Sequence, residues 1–218
     1  NGEKQMNLIF LAAGNSTRFG SNKLLYKLNG KYMYRYGLEI ADALQQKGLL
    51  DTVVIVTQYE EIIHDIESHF PDMKVVNNPH PEVGISSSIR FGVEKLIDLE
   101  RKCGKTNNRE REGCMFAVAD QPYLTIESLE NMVEAWKISK KGILVSENAG
   151  RMGNPVIFAR KYYEEMRNLS GDVGGKQVLK KHMNDVQMFE MPASELKDLD
   201  SPESENDIKQ SKLIGIKR

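Results

Sequence analysis

Cysteine is scarce in this chain. Only Cys103 and Cys114 occur among 218 residues. They form no C-x-x-C pair and no zinc-ligand spacing, so they read as two unrelated free thiols of a reducing compartment. The four histidines, His64, His69, His80 and His182, are scattered and form no ligand pattern. His64 and His69 read as solvated helix residues. Long apolar runs are missing too: nothing approaches the roughly 20 residues that span a bilayer, and mean hydropathy is -0.48. The polar start, residues 1–6, has no apolar core of a signal peptide. The expectation is a cytoplasmic protein with residues 1–5 an expression remnant, a native start near Met6, and no membrane partner. Neither sign of charge dominates: 30 Lys plus Arg face 31 Asp plus Glu, a net charge of -1. That balance argues against a protein that lives on nucleic acid or an anionic surface, while leaving room for a local basic pocket. There is no internal repeat and no low-complexity tract.

What is present is an alternation of strand-like and helix-like segments, the pattern of an α/β sheet with crossover helices. Strands are expected over 8–12, 52–57, 73–76, 114–119, 142–146, 155–158 and 186–191. Helices are expected over 33–46, 60–70, 85–99, 125–139, 160–169 and 174–183. Thr125 is a plausible cap, and the lone Trp136 is expected to pack its helix on the sheet. Residues 101–113 read as a charged surface loop, and 194–206 as acidic, turn-prone chain. A length of 218 residues suits one large domain.

The most informative stretch runs from Leu8 to Lys23. An apolar run leads into Leu11-Ala12-Ala13-Gly14, then Arg18, Gly20 and Lys23. Glycines let backbone N–H groups approach phosphate oxygens, and two cations offset their charge. The spacing lacks the Gly-Lys-Ser/Thr ending of a P-loop, and no G-x-G-x-x-G is present. The same residues also suit a tight turn and an exposed basic loop. Asp120 directly follows an apolar strand, where an open α/β sheet presents its ligand crevice. It reads equally as a Mg2+ ligand or as a turn residue before a helix. Asn77, Gly84, Ser86, Ser87 and Ser88 surround a helix start, where hydroxyls and amides could read a nucleotide or simply cap the helix. The Gly-rich turns 150–155 and 171–176 are open to both readings. Residues 198–203 offer a further carboxylate, Asp200, in what alone reads as solvated acidic chain.

Six motifs in order resemble the molybdenum cofactor nucleotidyltransferases, most closely the cytidylyltransferase branch. They are L-A-A-G-x-S-x-R-F-G-x-x-K at 11–23, N-N-x-x-x-x-x-G-I-S-S-S-I at 77–89, A-D-Q-P at 119–122, G-x-x-G-N-P-V-I-F at 150–158, G-D-x-G-G-K at 171–176 and D-L-D-S-P-E at 198–203. The resemblance implies a Rossmann-like three-layer α/β sandwich with a mostly parallel mixed sheet, as in nucleotide-diphospho-sugar transferases. It implies one nucleotidyltransferase domain over 6–210, with 211–218 a C-terminal tail.

The implied reaction joins CMP from CTP to the terminal phosphate of molybdopterin or its metallated form and releases pyrophosphate. Arg18 and Lys23 would be catalytic. Leu11, Ala12, Ala13, Gly14, Gly20, Asn77, Gly84, Ser86 and Ser88 would bind the nucleotide. Gly153, Asn154, Asp172 and Lys176 would face the acceptor, and Asp120 with Asp200 would hold Mg2+. A molybdenum hydroxylase would be the client. The guanylyl branch usually has a second Gly where this chain has Ala13. This chain also departs from the family at Lys176, where an Arg is usual; Lys keeps the charge and loses the bidentate fork. The rival readings are a guanylyl- or sugar-phosphate nucleotidyltransferase of the same fold, and a non-catalytic cofactor carrier.

Overall fold

A computed structural model of the chain describes residues 6–14, 22–102 and 112–199. In chain order the elements are β1 (Met6–Ala12), β2 (Lys27–Leu28), β3 (Lys31–Tyr32), α1 (Met33–Gln46), β4 (Thr52–Thr57), α2 (Glu60–His69), β5 (Lys74–Asn77), α3 (Ile85–Lys102), β6 (Gly113–Val118), α4 (Ile126–Ile138), β7 (Ile143–Asn148), β8 (Arg151–Ala159), α5 (Tyr163–Arg167), α6 (Lys176–Lys181) and β9 (Val186–Glu190).

Seven strands form one sheet in the order β5-β4-β1-β6-β8-β7-β9, and β2 pairs with β3 in a separate small hairpin. Only β8 runs against its neighbours in the large sheet; the β5, β4, β1, β6 and the β7, β9 pairings are parallel. The central strands are continuous apolar runs because both sheet faces are covered. Two glycines show how. Neighbouring strand residues point to opposite faces. A Cβ on Gly37 of α1 would lie 2.5 Å from the Phe10 ring, and one on Gly92 of α3 would lie 2.6 Å from the Ile9 side chain. So α1 and α3 clamp β1 from opposite sides, which makes three layers. Trp136 is buried on α4 and lies where Gly113 of β6 has no side chain. Among the described residues no helix is long and apolar enough to cross a membrane.

Several elements differ from the sequence expectation. The stretch 147–154, read as a Gly-rich connection, is a tight hairpin. Ala149 and Gly150 both take positive φ, 50° and 80°, as the two-residue turn matching strand twist requires. Gly153 and Asn154 therefore sit inside β8 rather than in a loop. The expected helix 85–99 continues to Lys102, so its last residues take the start of the expected surface loop; 103–111, with Cys103, lie outside the described residues. The expected helices 160–169 and 174–183 are shorter, each joined to a 3-10 turn, Arg160–Tyr162 before α5 and Met183–Asp185 after α6. Thr125 is the α4 cap, its hydroxyl accepting from the Ser128 N–H at 3.2 Å.

At the amino ends of β1 and β6, Asn7 donates to the buried Glu112 at 2.5 Å, and Arg160 bridges Glu112 and Glu100. Burial, reinforced by the Glu112 charge, pushes the neighbouring Cys114 thiol well up, so it is an inert core group.

Candidate active site

The chain runs from β1 through β4 to β5 on one side, then returns through α3 to β6 on the other. Open α/β sheets bind ligands at such a reversal, beyond the carboxyl ends of the strands. A cavity of about 470 Å³ lies there. Its walls include Leu11, Ala13 and Gly14 after β1, and Val118, Ala119 and Asp120 after β6.

Each wall has a local cause. The main chain leaving β1 is tied down from the β4–α2 connection. Gln58 Nε2 donates to the Ala13 carbonyl at 2.7 Å, and the Tyr59 hydroxyl donates to the Gly14 carbonyl at 2.8 Å. Sequence reasoning missed both; polar Gln and Tyr directly after the TVVIVT strand were the available signal. Lys23 opens a 3-10 turn capped by the Asn22 side chain, which accepts from Leu24 N–H at 3.0 Å. Its Nζ lies 2.7 Å from Asp120 Oδ2. Two residues far apart in sequence thus meet as an ion pair on the cavity wall, with side chains 16% and 23% exposed.

The opposite wall is the turn before α3. Gly84 has φ +94°, and a Cβ there would fall 2.8 Å from the Asp172 backbone. Gly is needed for both reasons. Ser86 donates to the Gly171 carbonyl at 2.5 Å, so the 171–175 loop is closed down on this turn. Ser88 lines the cavity, as do Glu82 and Asp172.

A second cavity of about 260 Å³ is lined by Gly153, Asn154, Lys176 and mostly apolar side chains. Leu11 and Ile85 line both cavities, so the two adjoin.

The structure brings together most of the residues expected from sequence, with corrections. Asn77 ends β5, is exposed, and lines neither cavity. Its neighbour Asn78 is the buried one, donating to Ser87 and Ser88 hydroxyls at 2.9 Å each. Asn78 directly follows β5 and ties it to the start of α3; it too lines neither cavity. Ala12 is buried within β1 and Ser86 within the loop contact; neither is on the first cavity's wall. Asp172, expected with Gly153, Asn154 and Lys176 on the acceptor side, lines the first cavity beside Gly84 instead, because Gly84 leaves space for it. Arg18, Gly20 and Asp200 lie outside the described residues.

Among the described lining residues, three carboxylates, Glu82, Asp120 and Asp172, face one ammonium, Lys23. A polyanion can enter such a cavity only with compensating cations. Among the described residues no three His, Cys, Asp or Glu meet as a metal cage. One carboxylate on an open wall still suits Mg2+, which keeps waters and takes one or two protein carboxylates plus phosphate oxygens.

A mixed α/β sheet with a cavity that carries charged side chains at its switch point suits a phosphate-bearing ligand. The family model of the MobA-like NTP transferase domain matches residues 8–186, and the chain belongs to that family. Purine catabolism protein PucB of Bacillus subtilis is 28% identical over 204 residues, covering 89% of this chain and 91% of that protein. Among solved structures, Rv0371c of Mycobacterium tuberculosis in complex with manganese superposes with a TM-score of 0.70 at 20% identity, over 95% of this chain and 99% of that one. Molybdopterin-guanine dinucleotide biosynthesis protein A from Archaeoglobus fulgidus gives 0.63 at 17% identity, over 98% and 100%. Likeness at these identities speaks for the fold.

Proposed function

We propose that this protein transfers CMP from CTP to the terminal phosphate of molybdopterin or its metallated form, releasing pyrophosphate. The observation that carries the reading is the Lys23–Asp120 pair, which sets a cation and a carboxylate able to take a metal side by side on the cavity at the β1–β6 switch point.

The triphosphate would lie along Ala13 and Gly14, whose carbonyls Gln58 and Tyr59 fix. Lys23 would turn from Asp120 to the phosphates, where Arg18 would join it and Gly20 would allow close approach. Asp120, with Asp200, would hold Mg2+, and the manganese complex of Rv0371c is consistent with that. When bound, the metal supplies charge neutralisation at the phosphate oxygens. Gly84, Ser88 and the helix start they open would meet the base and ribose. Ala13, where the guanylyl branch usually has a glycine, is the residue that favours CTP on the resemblance to the cytidylyltransferases.

The acceptor would enter from the second cavity, where Asn154 and Lys176 supply the polar side chains among the described lining residues. Its phosphate has a second pKa near 6 and is largely a dianion at neutral pH. It can attack the α-phosphorus without a general base, which agrees with the absence of a histidine among the cavity residues described. Catalysis then rests on alignment and on charge placed ahead of the reaction. The activity would be cytoplasmic. The name of PucB points to purine catabolism, so a molybdenum hydroxylase acting on a purine is the client this reading suggests.

Thermal unfolding with CTP, GTP, ATP or UTP, with and without Mg2+, tests the nucleotide. CTP with Mg2+ at 100 times its Kd should add about 2.7 kcal/mol, roughly 5–11 °C for a domain of this size. A larger shift with GTP would move the protein to the guanylyl branch, and no shift with any nucleotide would favour a carrier.

The acceptor side has its own test. A Cβ on Gly153 would meet no atom within 4 Å, and a β-branched residue suits a strand. Gly153→Val is therefore expected to leave the melting temperature unchanged, raise the acceptor KM about tenfold or more, and leave the CTP KM alone. An unchanged acceptor KM would remove the second cavity from the acceptor path.

A further inference from the structure

The segment 191–199, which runs into the chain read as acidic and turn-prone over 194–206, does not hang in solvent. It is tied to the short turn that carries Asp120. Glu195 is only 7% exposed. Its Oε2 accepts from the Thr125 N–H at 3.1 Å and the Thr125 hydroxyl at 3.2 Å, and its Oε1 accepts from the Ser128 hydroxyl at 3.0 Å. At the other end of the turn, the Leu199 N–H donates to the Asp120 carbonyl at 2.9 Å. Leu199 is fully buried against Met33, with Tyr26 and Tyr123 packed around. Between these points Gln121 Nε2 reaches the Leu196 carbonyl at 3.4 Å.

A carboxylate is rarely buried without a structural demand. Here it serves the first turn of α4, where backbone N–H groups lack helical partners and negative charge is favoured. The consequence falls on Asp120. The turn 120–125 joins the end of β6 to the start of α4, and it is held at its first residue by Leu199 and at its last by Glu195.

We infer that 191–199 is a strap and that Glu195 is a positioning residue, latching the Asp120 turn so that the carboxylate stays set for its metal. This rests on the reading of Asp120 as the metal ligand. The strap restricts the turn before any ligand arrives, so less ordering remains at binding. The latch depends on accepted hydrogen bonds more than on charge. A glutamine could satisfy it, with its oxygen accepting from Thr125 and its amide donating to the Ser128 hydroxyl.

The test is Mn2+ affinity of the full chain with CTP, read by electron paramagnetic resonance, alongside metal-free CTP affinity and the acceptor KM. Glu195→Ala should weaken Mn2+ about tenfold while metal-free CTP affinity and acceptor KM stay within twofold. Glu195→Gln should restore Mn2+ affinity to within about twofold of the native protein. Ser128→Ala, a milder cut that leaves the Thr125 bonds, should weaken Mn2+ two- to threefold, which keeps the test open if Glu195→Ala does not fold. Asp120→Asn is the control. If Asp120→Asn loses Mn2+ while the Glu195 and Ser128 variants bind it like the native protein, the latch is wrong and the metal assignment stands. If Asp120→Asn binds Mn2+ like the native protein, the metal assignment itself fails and the latch with it. Equal losses of metal, CTP and acceptor binding in Glu195→Ala would mean a general structural role and overturn the positioning claim.

Discussion

Replacing Asp120 by Asn is expected to reduce CMP transfer by roughly 10³-fold or more with little change in melting temperature. The size follows from the chemistry: placing a divalent cation against phosphate oxygens is worth several kcal/mol of transition-state stabilisation, and each 1.36 kcal/mol is a factor of ten in rate. The small stability effect follows from the setting. Asp120 and Lys23 are partly buried on a cavity wall that solvent reaches, and asparagine keeps the shape and a carbonyl oxygen for Lys23, so the cost should stay below the several kcal/mol of losing a fully buried partner. Rates at saturating Mg2+ and calorimetric unfolding of the same preparation check it. Turnover within tenfold of the native rate would take the metal away from Asp120.

Lys23→Gln is expected to move two quantities in opposite directions. Removing one preorganised charge donor from a developing phosphoryl charge typically costs 10²–10³ in rate, so turnover should fall by about that much. Without nucleotide, however, Lys23 occupies one oxygen of the Asp120 carboxylate at 2.7 Å. A metal ion must displace or share with it. The glutamine variant lacks that competing charge and should bind Mn2+ more tightly than the native protein when CTP is absent. On the proposed reading CTP would draw Lys23 to its phosphates and free the carboxylate, so metal and nucleotide should reinforce each other reciprocally. Titrating Mn2+ with and without CTP in both proteins reads the coupling. Weaker nucleotide-free Mn2+ binding in Lys23→Gln would contradict this role of the ion pair.

The parts of the fold that were legible in the sequence are those where burial on both faces leaves an uninterrupted apolar run. TVVIVT and CMFAVA became β4 and β6 with nearly the expected bounds. Thr125 was legible as a cap because its partner is three residues away. What depends on distant chain was not. The hairpin of β2 and β3 is two residues on each side, too short for any pattern. Ala149 takes a positive φ because the flanking strands of β7 and β8 demand that turn, not because alanine prefers it.

The site shows the same division. Leu11, Ala13, Gly14, Lys23, Gly84, Ser88 and Asp120 line one cavity as their order along the motifs suggested. Asn77, expected at the site, ends β5 with its side chain exposed, while the buried Asn78 beside it is engaged by the serines of α3. Asp172 lines the first cavity because a glycine 88 positions earlier in sequence makes space for it. Glu195 was hidden for a simpler reason: nothing local in the sequence distinguishes its buried carboxylate from the exposed one of Asp198 three residues on.

The most direct test of the account is to supply the protein with molybdopterin, Mg2+ and each nucleoside triphosphate in turn, and to measure pyrophosphate release with mass analysis of the pterin product. The account predicts stoichiometric pyrophosphate with CTP, a product heavier by one CMP unit, and no release when the acceptor is omitted. GMP attached in preference to CMP, or no nucleotide attached to the pterin by a protein that binds CTP and Mg2+, would contradict it.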